Sequence, residues 1–181
     1  EGQNRTICLN SLADVNRRLQ KIRVLYFGDL YGNSGSRFQG MKKVVGAAVP
    51  CFDINPLVRA NRVVRSLEWR LCNGPITWSM NRRILKRAEA VKPDLVWVEM
   101  GRLVYADTLA RLKKRHGCLL INTYSDDFLD PMKRSRHYNR AISIYDYIFT
   151  PRDVNFKELY RRGAKQVGKF WKGYDPSIHF P

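Results

Sequence analysis

The sequence predicts an α/β fold, a mostly parallel sheet with helices on both faces. Three observations carry that expectation. Short apolar runs such as Val24-Leu25-Tyr26-Phe27, Leu95-Val96-Trp97-Val98 and Cys118-Leu119-Leu120-Ile121 leave no side for water, as in strands buried on both faces. Segments with apolar residues at helical spacing separate them. Glycine and proline mark the joins, as at Asn73-Gly74-Pro75 and His116-Gly117. Strand, helix, strand repeated in this way implies parallel crossovers.

Each element can be justified in order. Residues 1–20 read as a helical extension through Ile7, Leu9, Leu12, Val15 and Leu19. The first strand spans Ile22 to Phe27 and runs into a glycine loop, Gly28 to Gly35. Ser36 is the expected N-cap of a helix carrying Phe38, Met41, Val45 and Ala48. A second strand covers Cys51 to Ile54 and closes at Pro56. Ala60, Val63, Val64, Leu67 and Leu71 form a stripe expected to face inward. The next helix starts near Trp78 and turns Met80, Ile84, Ala88 and Val91 to the core. Lys92-Pro93-Asp94 turns into strand 95–99. A helix through Leu109 and Leu112 ends at Gly117 with Lys113, Lys114 and Arg115 in its last turn, where the helix dipole favours cations. Strand 118–122, a partly helical segment 129–144, strand 145–150, helix 154–162 and strand 165–171 complete the domain.

Bulk composition narrows the function classes. A chain of 181 residues with 44% apolar content, 4 Trp, 9 Tyr and 8 Phe suits one folded domain with a sizeable core. No stretch reaches the ~18 to 20 apolar residues of a membrane helix. The first residues lack the basic-then-apolar layout of a signal peptide. Cys8, Cys51, Cys72 and Cys118 are too far apart for a Cys-x-x-Cys site and read as free thiols of a reducing compartment. The expected location is cytoplasmic, or peripheral on a membrane. The 33 basic residues against 16 acidic ones, a net +17, attract polyanions: nucleic acid, an anionic lipid surface, or phosphorylated and acidic substrates.

Three constellations could carry chemistry. The glycine loop has the spacing Gly28-x-x-x-Gly32-x-x-Gly35, neither the dinucleotide fingerprint nor a P-loop. Its expected use is to bring backbone N–H groups and Ser36, with Arg37 beside it, to a phosphate or sugar hydroxyl at a helix N-terminus. Glu99 ends a strand, where α/β proteins bind ligands; the alternative is an ion pair with a nearby Arg. Ser125-Asp126-Asp127 follows the next strand, and one carboxylate of such a pair can act as base while the other caps a turn. His116, His137 and His179 lack ligand spacing, so no metal is expected. Trp69, Trp78, Trp97 and Trp171 read as core; a base-stacking platform would need them exposed beside cations.

The chain resembles the N-terminal half of GT-B glycosyltransferases of the spore-maturation type. The resemblance rests on Lys21 to Gly28 with Ser36-Arg37, on Lys92 to Glu99, on Ser125-Asp126-Asp127-Phe128, and on Tyr145 to Arg152 with Asn155, Glu158 and Gly163 behind it. It implies a Rossmann-like acceptor-side domain over 21–172 and a hinge at 173–181 leading to a second domain that holds most contacts to a nucleotide-sugar donor. It implies transfer of that sugar to a hydroxyl acceptor without a bound metal or other cofactor. Asp126 or Asp127 would be the base, and Gly28, Gly35, Ser36, Arg37, Glu99 and Ser125 would bind substrate. The rivals are a polyanion- or nucleic-acid-binding domain on the same scaffold and a nucleotide-cofactor oxidoreductase domain, the latter opposed by the broken glycine fingerprint.

Overall fold

The computed structural model describes residues 21–28, 32–46, 49–53 and 60–171. The expected N-terminal helix (1–20) and hinge (173–181) lie outside these residues, as do Ala48 and Ile54. In chain order the elements are β1 (Val24–Gly28), α1 (Gly32–Val45), β2 (Cys51–Asp53), α2 (Arg62–Leu71), α3 (Pro75–Val91), β3 (Leu95–Glu99), α4 (Ala106–His116), β4 (Leu119–Thr123), α5 (Arg136–Ala141), β5 (Tyr147–Thr150), α6 (Val154–Arg161) and β6 (Val167–Lys169). Among the described residues, six strands form one sheet in the order β2-β1-β3-β4-β5-β6. Every pairing is parallel, with Tyr26 beside Trp97 and Glu99 beside Thr123. The domain is Rossmann-like.

Strand alternation divides the interior in two. Leu25, Phe27, Val96, Val98, Leu120 and Ile148 pack in one core with Ile84 of α3, Leu109 of α4, Tyr138 of α5 and Leu159 of α6. Val24 and Tyr26 point the other way, to Phe38 and Met41 of α1, with Trp97 against them. β1 lies between β2 and β3, so the chain leaves it in one direction and returns on the other side. Right-handed crossovers then put α1 on one face and the later helices on the opposite face. The connections after β1 and β3 diverge, which opens a crevice at the carboxyl ends of the strands.

Local chemistry explains several boundaries. Asn61 caps α2 by accepting from the Val64 N–H at 2.9 Å. Pro75 occupies the first turn of α3, where its missing N–H costs nothing. Gly117 ends α4 with φ +62°, a conformation that a side chain would strain.

Three expectations are corrected. Helix α1 begins at Gly32, not after Ser36, so Gly35 and Ser36 lie within the helix and Ser36 is not its N-cap. Glycine in a helix costs about 1 kcal/mol. Tertiary contacts override that: the Tyr26 hydroxyl donates to the Ser34 carbonyl at 3.1 Å and holds the first turn. Along α2 the stripe faces outward, with Val63 75%, Leu67 59% and Leu71 62% exposed. This helix is anchored instead by buried Glu68, which accepts from Ile76 and Thr77 in the first turn of α3. Trp69, Trp78 and Trp171 are exposed, and only Trp97 of the four is half-buried.

Candidate functional site

A cavity of about 240 Å³ opens at the carboxyl ends of β3 and β4. From β3 and its sequel come Glu99, Met100, Gly101 and Arg102; Tyr124 and Asp126 follow β4. Ser34 of α1, Trp69 of α2 and Lys133 of the loop before α5 close the remaining sides. The position is the crevice that the strand order creates.

Glu99 is 1% exposed and is held by Arg37 through Nε at 2.6 Å and Nη2 at 3.0 Å. Burial pushes its carboxyl above the ordinary value, and the Arg37 guanidinium offsets part of that rise. Burial, with the Glu99 charge second, drives the Tyr26 phenol far upward, so it stays a neutral donor. The Arg37 guanidinium also lies 5.7 Å from the Phe170 ring centre, so a residue just beyond β6 reaches back over the sheet end.

The backbone after β3 is unusual. Met100 and Gly101 both have positive φ, 57° and 74°. A side chain at Gly101 would also press on the Tyr145 hydroxyl at 2.9 Å and on Val98 at 3.1 Å. That bend delivers Arg102 to the cavity wall. Arg102 is 7% exposed and donates from Nη1 to the Met132 carbonyl at 2.7 Å and from Nη2 to the Trp69 carbonyl at 3.1 Å. Its guanidinium stacks 4.5 Å from the Trp69 ring centre. Its own carbonyl accepts from Ser135 Oγ at 2.6 Å.

The two adjacent aspartates have different surroundings. Asp126 lines the cavity and pairs with Lys133 at 2.9 Å, while its backbone carbonyl accepts from buried Asn155 at 3.2 Å. Asp127 accepts from the Leu129 N–H at 2.9 Å, a local turn bond. Ser125 Oγ lies 3.4 Å from the Met100 sulfur. Gly28 closes β1 at a point where an added Cβ would meet the Tyr26 ring. Of the expected loop 28–37, Ser34 borders the cavity and Arg37 reaches it through Glu99; positions 29–31 lie outside the described residues.

Sequence reasoning missed Arg102, Lys133 and Trp69. A signal for Arg102 was available in the glycine that follows a strand-ending acid, Glu99-Met100-Gly101-Arg102. Nothing local pointed to Lys133 or Trp69, which other elements bring in. Among the described residues no cluster of three or more His, Cys, Asp or Glu could hold a metal ion, and no helix is long and apolar enough to cross a membrane. Compared with protein-family models and with curated proteins, the sequence matches none.

Proposed function

We propose that this chain is the acceptor-side domain of a GT-B glycosyltransferase of the spore-maturation type. It would help move a sugar from a nucleotide-sugar donor to a hydroxyl of the acceptor. The observation that carries the reading is the crevice cavity, where buried Glu99 and partly exposed Asp126 border one space. Paired carboxylates in a concave site suit a ligand rich in hydroxyl donors.

In this reading Asp126 is the base, because the carboxylate of Asp127 is committed to its turn. The acceptor oxygen bonds to the anomeric carbon and its proton passes to Asp126. The bond from that carbon to the donor phosphate breaks, and the nucleotide leaves with the electron pair. This role belongs to an inverting reaction. Glu99, fixed by Arg37, accepts a hydrogen bond from a neighbouring hydroxyl through its remaining lone pairs and orients the sugar. In the family the second domain holds most donor contacts, so the acceptor is the ligand to test on this chain.

The test is ligand-observed NMR with neutral and charged sugars, nucleotide sugars and a short DNA duplex at two salt concentrations. Saturation of sugar ring protons, lost in Glu99→Gln, is the expected result. Absence of any sugar contact, with tight DNA binding at moderate salt, would overturn it. A polyanion-binding reading is favoured by one observation. Exposed Trp78 has Arg82 5.6 Å from its ring centre, and exposed Trp171 has Lys169 at 4.5 Å. Aromatic rings beside cations suit base stacking, and that reading predicts a steep fall of affinity with salt.

A further inference from the structure

We infer that the cavity contains an oxyanion subsite built on Arg102, so that its ligand carries a phosphate monoester or a carboxylate. The inference rests on the glycosyltransferase reading only in calling that ligand the acceptor. The subsite itself follows from charge and geometry.

Each carboxylate of the cavity already has a cation. Glu99 is held by Arg37, and Asp126 pairs with Lys133. Arg102 has no acidic partner among the described residues, which leaves the wall with one positive charge in excess. This charge is 7% exposed, and its Nε is buried without any acceptor. A guanidinium has five N–H groups, and the Met132 and Trp69 carbonyls account for two of them. Those carbonyls and the Trp69 ring solvate the charge only in part. A buried cation without a counter-ion is unfavourable, and a bound anion relieves that penalty.

The group is also held ready. Ser135 Oγ grips the Arg102 carbonyl, the left-handed turn at Met100 and Gly101 sets the backbone, and the indole face fixes the guanidinium plane. A rigid planar fork matches the two oxygens of a phosphate or carboxylate better than a lysine does. Lys133 stands at the same cavity, but Asp126 matches its charge, so the excess rests on Arg102. A purely structural arginine, tying the loop after β3 to α2 and to residue 132, would explain the two carbonyl bonds but not a cavity-lining charge left without an acid.

The experiment is calorimetric titration of the full chain with a hexose, its 6-phosphate, the corresponding uronic acid and inorganic phosphate, at constant ionic strength. At least one charged sugar should bind at least tenfold tighter than the neutral hexose. The phosphate and uronate arms identify which group the site takes. Arg102→Met should abolish the preference. If that variant fails to fold, Arg102→Lys, which keeps the charge but not the planar fork, carries the test. Its charged-to-neutral affinity ratio should fall several-fold, a selective loss that a structural role for Arg102 does not predict. Equal affinity for charged and neutral sugars, no binding of any charged probe, or an unchanged ratio in Arg102→Lys would each overturn the subsite. A sugar phosphate that binds through Arg102 no tighter than inorganic phosphate would remove the sugar-acceptor reading and leave the subsite standing. A neutral sugar that binds tighter than either charged one would do the reverse.

Discussion

Arg37 on α1 donates from Nε and Nη2 to the two carboxylate oxygens of Glu99 at the end of β3, 62 residues away in sequence. Glu99 is buried, so the pair sits where a lone charge is costly, and it clamps α1 to the strand end that borders the cavity.

Arg37→Met should therefore cost about 3–5 kcal/mol at pH 7, because it strands a buried carboxylate. The folded-state value of Glu99 is already raised. A raised carboxyl contributes stability below its unfolded value, near 4.5, and loses it as pH rises through the folded value. Without Arg37 the rise is larger, so the deficit should be smallest near pH 4 and widen toward pH 8. Urea unfolding across that range checks it, and a deficit independent of pH would assign Arg37 to packing alone. Adding Glu99→Gln to the variant should recover part of the loss.

Glu68 makes the opposite prediction. Burial alone would raise its carboxyl, but hydrogen bonds from the Thr77 N–H and hydroxyl and the Ile76 N–H outweigh that and hold it below the ordinary value. Glu68→Gln should cost about 1.5–3 kcal/mol at neutral pH, since the amide cannot accept from all three donors. A lowered carboxyl contributes stability above its unfolded value and loses it as pH falls through the folded one. The gap between native and variant should close below about pH 4.5. A gap that persists at pH 3 would show that shape, not charge, matters there.

Asp94 tests a weaker contact of the same kind. Arg23 reaches it with its backbone N–H at 3.0 Å and its guanidinium at 2.7 Å, which holds the carboxyl at about 2. Both side chains are about half exposed, so water screens the pair. Asp94→Asn should lower Tm by only about 1–3 °C at pH 7. The stability that Asp94 contributes is present above pH 3.8 and disappears as pH falls toward about 2, so the two melting curves should merge there. A loss above about 5 °C would mean that the turn into β3 depends on Asp94 in a further way.

Gly28 leaves no room for a methyl group. A Cβ there would lie 2.8 Å from Tyr26 Cζ and 2.9 Å from its hydroxyl. The ring cannot retreat, since Phe38 and Trp97 pack at 5.2 and 6.2 Å between ring centres. Gly28→Ala should cost about 1–3 kcal/mol by overpacking. Tyr26→Leu in the same chain should make room, so the double variant should lose less than the sum of the singles. Strict additivity in thermal denaturation would exclude the clash.

Much of the site was legible as positions and little of it as partnerships. Glu99 and Asp126 stood out because each follows an apolar run, and a strand end is a local pattern. That Arg37, and not another of the many basic residues, would hold Glu99 was not readable, since the pair spans 62 residues. The separation of Asp126 from Asp127 likewise depends on Lys133 and on the turn at Leu129.

By itself the sequence determined the alternation of strands and helices, the parallel sheet and most helix stops, because period, glycine and proline act over a few residues. Only the tertiary structure decided where α1 begins, which side of α2 meets water, and that Arg102 is buried without an acid. Those outcomes depend on what the opposite surface offers, on the Tyr26 hydroxyl at Ser34, on the α3 N-terminus at Glu68 and on the indole of Trp69 under Arg102. Such surfaces exist only once the sheet has brought distant segments together, and no local periodicity encodes them.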